Sequence, residues 1–178
     1  KPNSQAPKKT TRRPINPAEN KKSQEGNRSE IRNIMDETMK ASKESDNADE
    51  LKAWGKVLQT LEKDPQKYAV VIFSRPYNGY VEEAHMGIPH KFASRGVPVI
   101  PLDFLELEDE HSKRHMYWGM GKLMMKAARL VERHPQLFGT YITNFSCGPD
   151  SFVVSYFRDI MGRKPSLTLE LDSHTADA

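Results

Sequence analysis

The spacing of apolar residues along the chain changes several times between the period of a strand and that of a helix. This predicts alternating strands and helices beyond residue 66. Runs rich in β-branched, aromatic and aliphatic residues predict four strands, over Tyr68–Phe73, Val97–Leu102, Gly139–Phe145 and Leu167–Leu171. Between them, apolar residues recur with the spacing of one helix face, which predicts helices over Pro89–Arg95, His115–His134 and Phe152–Met161. The first strand is apolar throughout, as expected of a strand buried on both faces.

Alternation of strands with helices is typical of a parallel sheet whose crossovers are right-handed. The predicted fold class is therefore α/β: a Rossmann-like or flavodoxin-like layer with a mainly parallel four-stranded sheet, preceded by a helical segment. Pro98 and Pro101 cannot donate to a sheet ladder, so the second strand is predicted to lie at an edge or to have the prolines at its ends.

The first third of the chain has a different composition. Residues 1–28 are rich in Lys, Pro, Asn, Ser and Gln, so they cannot bury enough apolar surface to offset chain entropy. Apolar spacing predicts one helix from Ser29 to about Ser42, and Asn47 with Glu50 resembles a capping box for a second helix. The predicted organisation is a basic flexible linker at 1–28, a helical pair at 29–63 and an α/β domain at 66–178.

The net charge of +3 is unevenly distributed. Residues 1–28 hold eight Lys or Arg against two Glu, whereas the remainder holds nineteen basic and twenty-two acidic residues. The predicted folded part is therefore mildly acidic and has no nucleic-acid-binding signature. We predict no nucleic-acid partner; a basic partner-binding arm at 1–28 is the alternative to a linker.

Cysteine and hydropathy patterns limit the class further. One cysteine excludes an intrachain disulfide framework. No apolar stretch reaches the roughly 18 residues that span a bilayer, and no signal-peptide pattern opens the chain. The expectation is a soluble, cytoplasmic protein.

Loops that follow parallel strands gather at one sheet edge, where α/β proteins bind ligands. The loops are predicted at 75–87, 102–111, 146–150 and 172–178. They would bring together a polar set, namely Arg75, Tyr77, Asn78, His85, Asp103, Cys147, Asp172 and His174. Arg75 could clamp a phosphate or carboxylate, or only pair with an acidic loop. His85 and His174 could act as acid, base or metal ligand, or be ordinary surface or capping residues.

Cys147 follows a predicted strand and precedes a predicted helix, with Asp150 or Ser151 placed to cap that helix. Amide donors at a helix start favour a thiolate, although free cysteines often only fill space. Several kinds of site find no support in the sequence: no motif of a cysteine hydrolase, no zinc-ligand spacing, no P-loop and no dinucleotide fingerprint.

Three segments together resemble a known family: Arg75–Asn78 with Gly87–Lys91, Asn144–Phe152, and Leu169–Ala178. They are similar to acyl-CoA dehydratase activase-related proteins, which are large proteins of anaerobes. Those proteins resemble 2-hydroxyacyl-CoA dehydratase subunits and are often fused to an ATPase activator region. The resemblance covers roughly residues 66–178 and implies part of an ATP-driven electron-transfer or dehydratase system.

In the related dehydratases, cysteine thiolates bind a [4Fe-4S] cluster that passes an electron to a CoA thioester. The resemblance thus implies that Cys147 is a cluster ligand. Arg75, Tyr77, Asn78, Asp172 and His174 match motif positions as cofactor-binding candidates, with contacts around the cluster or to substrate as hypotheses.

The implied partners are further domains of a larger polypeptide, an ATPase activator or dehydratase subunit, and a CoA thioester. A cluster is normally held by several cysteines, and this chain has one. We therefore expect a domain fragment that binds no stable cluster and is not active alone.

The leading hypothesis is an iron-sulfur electron-transfer domain that contributes one cysteine to a cluster completed elsewhere. A non-catalytic α/β scaffold or interaction domain is the alternative from another class. A small-molecule-binding or thiol-dependent enzyme is the third possibility.

Overall fold

A computed structural model of the chain describes residues 25, 29, 33, 47–107, 110–111, 114–144 and 148–171. The strands are β1 (Ala69–Phe73), β2 (Val99–Pro101), β3 (Leu137–Asn144) and β4 (Ser166–Leu171). The helices are α1 (Asn47–Glu62), α2 (Pro76–Gly79), α3 (Glu82–His85), α4 (Ile88–Ala93), α5 (Gly119–Arg133) and α6 (Pro149–Met161), with a 3₁₀ turn at Leu102–Phe104.

The four strands form one all-parallel sheet in the order β2-β1-β3-β4. Val71 lies beside Ile100 on one side and Gly139 on the other, and Tyr141 of β3 lies beside Thr168 of β4. The α/β prediction is confirmed. The prediction for the prolines is also confirmed, because β2 is an edge strand and ends at Pro101.

The strand order creates a reversal between β1 and β3. After β1 the chain moves outward to β2, returns past β1 to β3, and then moves outward to β4 on the other side. The connections that leave the carboxyl ends of β1 and β3 therefore diverge. Such a switch point opens a crevice at the edge of the sheet, and this is the usual ligand position in open α/β sheets.

Hydrophobic packing covers the two faces of the sheet unequally. On one face α1, α5 and α6 contribute Trp54, Met124 and Phe157 to a core that includes Val71 and Tyr141. On the other face, α4 contributes Ile88 to a smaller cluster, whose strand residues are Val70, Ile72, Val99, Ile142 and Leu171. Helix α1 thus packs on the sheet, while the predicted domain boundaries stay a prediction.

Several element boundaries differ from the sequence-based expectation. The loop predicted at 75–87 contains the one-turn helices α2 and α3. Helix α5 begins at Gly119 instead of His115, because Trp118 is extended and Met116 and Trp118 pack against Gly121. The helix predicted at 29–42 falls largely outside the described residues. In the described part of the chain, no helix is long and apolar enough to cross a membrane.

Candidate functional site

The site is built where β1 ends, at Arg75. Proline disfavours helical backbone in the residue before it, and Arg75, which precedes Pro76, is accordingly extended with φ −72° and ψ 152°. Pro76 then starts α2, where a missing N–H costs nothing. The sequence Arg75-Pro76 therefore turns the chain abruptly at the carboxyl end of β1 and leaves the arginine at the switch point.

Asp150 of α6 pairs with Arg75 across this switch point. The Arg75 Nε donates to Asp150 Oδ1 at 2.9 Å, and only 2% of the Asp150 side chain is exposed. The same carboxylate accepts from Thr143 Oγ1 at 3.2 Å and from the Tyr141 hydroxyl at 3.4 Å. Asp150 thus links the ends of β1 and β3 to the start of α6.

This arrangement corrects the prediction that Asp150 or Ser151 caps α6. Gly148 is the N-cap residue, and among the described residues no side chain caps this end. The Ser151 hydroxyl donates back to the Gly148 carbonyl at 2.8 Å. The Asp150 carboxylate faces the sheet because three donors, one of them cationic, stabilise a buried carboxylate more than one amide would.

Two aromatic rings flank the Arg75 guanidinium. Its Cζ lies 5.8 Å from the ring centroid of Tyr77 and 5.4 Å from that of Trp118, within the range of cation–π attraction. Burial opposes charge on Arg75, but its hydrogen bond to Asp150 and the charge of that carboxylate raise its pKa above the ordinary value for arginine. The guanidinium is therefore permanently charged, and its buried Nη2 has no hydrogen-bond partner among the described residues.

Asn78 lies one turn further along, in α2. Its backbone N–H donates to the Arg75 carbonyl at 2.9 Å, and its side chain is fully buried. Neither its amide nitrogen nor its amide oxygen has a partner within the described ranges. A buried carboxamide with both ends unmatched is costly, so Asn78 is a site for a further polar contact.

Asp103 and Tyr80 form a second polar pair at this edge. The Tyr80 hydroxyl donates to Asp103 Oδ2, which links the segment after β1 to the 3₁₀ turn after β2. Burial raises the pKa of Asp103, and the hydrogen bond from Tyr80 offsets part of that rise. The pair holds the two loops together beside the crevice.

His85 ends α3 and is buried. Its Nδ1 accepts from the Gly87 N–H at 3.1 Å, so its Nε2 carries the proton in the neutral ring. That Nε2 has no partner in the part of the chain that is described. Met86 and Gly87 both have positive φ, 53° and 66°, so the His85 bond stabilises an unusual turn between α3 and α4.

Stability is expected to fall as pH falls below about 6.5. Burial lowers the pKa of His85 from its ordinary 6.5, with His90 acting in the same direction and Glu82 and Glu83 against it. The unfolded chain then binds a proton at a higher pH than the folded chain, so stability is complete above 6.5 and is lost below it. Urea unfolding from pH 5 to 8 measures how the free energy of unfolding changes with pH.

The matched variants are His85→Asn, in which an Asx turn preserves the acceptor for Gly87, and His115→Asn at an exposed position. The first should flatten the pH dependence and the second should leave it unchanged. Burial also lowers the pKa of His134, so the His134→Asn variant measures how much of the pH dependence of stability comes from that residue. Equal slopes in wild type and His85→Asn would contradict the prediction.

The structure brings together part of the predicted polar set. Arg75 and Tyr77 are in contact, Asn78 is in the same turn, and Asp103 lies on the adjoining loop. Cys147, Asp172 and His174 lie outside the described residues, so their roles stay predictions. Sequence reasoning missed a further group around Arg75, namely Asp150 as its partner, Tyr141, Thr143 and Trp118. In the described ranges no three His, Cys, Asp or Glu side chains form a group that could hold a metal ion.

These features define a class: a doubly wound parallel α/β domain with a charged and aromatic site at its switch point. Residues 7–105, more than half of the chain, match the family described as CoA enzyme activase uncharacterised domain. The chain belongs to that family. Comparison with curated proteins and with solved structures gives no match.

The family match confirms the resemblance to activase-related proteins, but over a different range. It includes Arg75, Tyr77 and Asn78 and the segment Gly87–Lys91. It ends before Asn144–Phe152 and Leu169–Ala178, so the assignment of those two segments stays a prediction.

Proposed function

We propose that this domain binds an anionic small molecule at the switch point, as the ligand-binding part of a CoA enzyme activase system. The observation that carries the proposal is the Arg75 guanidinium: it is anchored through Nε, while its buried Nη2 has no partner among the described residues. Charge-assisted N–H donors of this kind recognise phosphate and carboxylate groups.

Asp150 has two effects on such a site. It fixes the orientation of the guanidinium, which lowers the entropy lost when a ligand binds. It also neutralises one positive charge, so directed N–H donors, and not net charge, select the ligand. Asn78 adds an unmatched carboxamide in the same turn.

The test compares three variants by calorimetric titration with phosphate, pyrophosphate and acetate. Arg75→Lys keeps a charge for Asp150 but loses the planar fork, and we expect at least about tenfold weaker binding. Arg75→Met removes the donor entirely and should abolish binding. Arg163→Met changes an exposed arginine that precedes β4, at the opposite edge, and should bind as wild type. Equal affinities in all four proteins, or no binding in any, would reject the proposal.

The finer proposal of iron-sulfur electron transfer rests on the family resemblance and on the sequence position of Cys147. Cys147 stands between the end of β3 at Asn144 and the start of α6 at Pro149. The chain has one cysteine, which does not supply the several thiolates that hold a cluster. The residues of this chain alone do not fit a complete cluster site, so its other ligands would come from elsewhere.

Anaerobic iron-sulfide reconstitution of the complete polypeptide and of its Cys147→Ala variant tests the cluster proposal. A cluster that is lost or altered in the variant, judged by iron content and electron paramagnetic resonance, would make Cys147 a ligand. Identical spectra would favour the scaffold alternative.

We also propose a dehydratase system as the partner and a cytoplasmic location. The family supports the first of these, and the sequence supports the second.

A further inference from the structure

The Arg75 guanidinium lies beside the rings of Tyr77 and Trp118, and Trp118 in turn contacts the ring of Phe152. Tyr77 is 51% exposed and Phe152 is 43% exposed, although both are large and apolar enough to be buried. Phe152 meets Trp118 at 6.4 Å and Tyr156 at 6.4 Å between ring centroids. The rings of Trp118, Phe152 and Tyr156 therefore form a continuous aromatic strip that begins beside the cation and continues along α6.

A second group of aromatic rings beside a cation lies at the opposite edge of the sheet and can be compared with the group at Arg75. There Tyr68, 47% exposed, packs edge-on against Phe138, and the Lys164 ammonium lies 5.4 Å from the Phe138 ring. The Lys164 amine is already used, since it donates to the carbonyls of Val131, Glu132 and His134 at the end of α5. Arg75 differs, because its Nη2 has no partner among the described residues.

We infer that the ligand of this site is a nucleotide, with its phosphate on Arg75 and its base stacked on the rings of Tyr77 and Phe152. The inference rests on the proposed function, because it names the chemistry of the anion that Arg75 binds. A phosphate alone would leave the exposed rings without a role. An aromatic base joined to a phosphate uses both features, since flat rings stack on any base and the guanidinium binds the anion.

The chain contains its own reporter for this contact. Its two tryptophans are Trp118, next to Phe152 and Arg75, and Trp54, which is 4% exposed in the core. A Trp54→Phe protein therefore emits from Trp118 alone. Adenosine monophosphate is expected to quench this emission as it saturates the site. Pyrophosphate should bind without comparable quenching, and adenosine should bind weakly.

Ring variants in the same background separate stacking from anion binding. Phe152→Leu and Tyr77→Leu keep apolar volume but remove the stacking face. Each should weaken the binding of adenosine monophosphate about fivefold or more, while the affinity for pyrophosphate stays unchanged. Tyr68→Leu is the matched control, with similar exposure at the opposite edge, and should change neither affinity.

The outcomes distinguish the two proposals. Adenosine monophosphate that binds no more tightly than pyrophosphate, with no effect of the ring variants, would overturn the nucleotide inference and leave anion binding intact. If no anion binds in a way that depends on Arg75, both proposals are overturned. Quenching that is equal in the Arg75→Met protein would place the base elsewhere and would also overturn the inference.

Discussion

Replacement of Asp150 by alanine is expected to lower the free energy of unfolding by about 3 kcal/mol. The buried carboxylate accepts from Arg75, Tyr141 and Thr143. Its removal leaves a partly buried guanidinium without its counter-ion and takes an acceptor from both hydroxyls, of which Tyr141 keeps a weaker contact to Met124 Sδ. Breaking a buried ion pair by removal of one partner costs about 3–5 kcal/mol. The lower end applies because the Arg75 side chain is partly exposed. Urea unfolding at pH 7 measures the change.

Two further variants show whether the loss comes from the ion pair. Asp159→Ala, at an exposed position of the same helix, should cost less than about 0.5 kcal/mol. Asp150→Ala combined with Arg75→Met should cost less than the sum of the single variants, because the second change removes the unpaired cation. Strict additivity, or an Asp150→Ala protein as stable as wild type, would contradict the arrangement at the switch point.

The sheet could be predicted from the sequence because its strands are short apolar runs separated by helical spacing. Burial on both faces leaves β1 without polar positions, and that pattern has few other interpretations. Strand order is less accessible, since pairing of β1 with β3 joins residues far apart in the chain. Two of the loops after the strands do lie together, because the Tyr80 hydroxyl after β1 donates to Asp103 after β2, while the roles predicted for the residues on these loops stay predictions.

Asp150 shows why the site itself was predicted only in part. Sequence reasoning assigns an acidic residue at a helix start to capping, because one amide donor there is certain. The structure gives it three donors: Tyr141 and Thr143 from β3, and Arg75 from the segment after β1, which is 75 residues away in the sequence. Trp118 was missed because the helix predicted over His115–His134 includes it, whereas in the structure it is extended, precedes α5 and places its ring over Arg75. Local residue preferences predict which helix or strand forms, whereas contacts between residues far apart in the sequence determine which partner a side chain binds.

Phe157 of α6 provides the second large effect, and its replacement by alanine is expected to cost about 4 kcal/mol. The buried ring lies 4.8 Å from the Phe73 centroid and 5.5 Å from that of Tyr141. It therefore packs α6 against the end of β1 and the middle of β3, where Tyr141 contacts both Phe157 and Asp150. Phe152→Ala on the exposed side of the same helix removes an equal ring and should cost less than about 1 kcal/mol.

Gly139 tests the same packing from the opposite direction. A Cβ at this position would lie 2.9 Å from Phe157 Cζ and 3.2 Å from Phe73 Cε2, so Gly139→Ala should destabilise wild type by about 1–3 kcal/mol. In the Phe157→Ala protein the ring is gone, and the added methyl group then fills part of the cavity. We expect Gly139→Ala to be neutral or stabilising in that background. If its cost is the same in both backgrounds, the two residues are not in contact, and the position of α6 on the sheet, with Asp150 at its start, would be wrong.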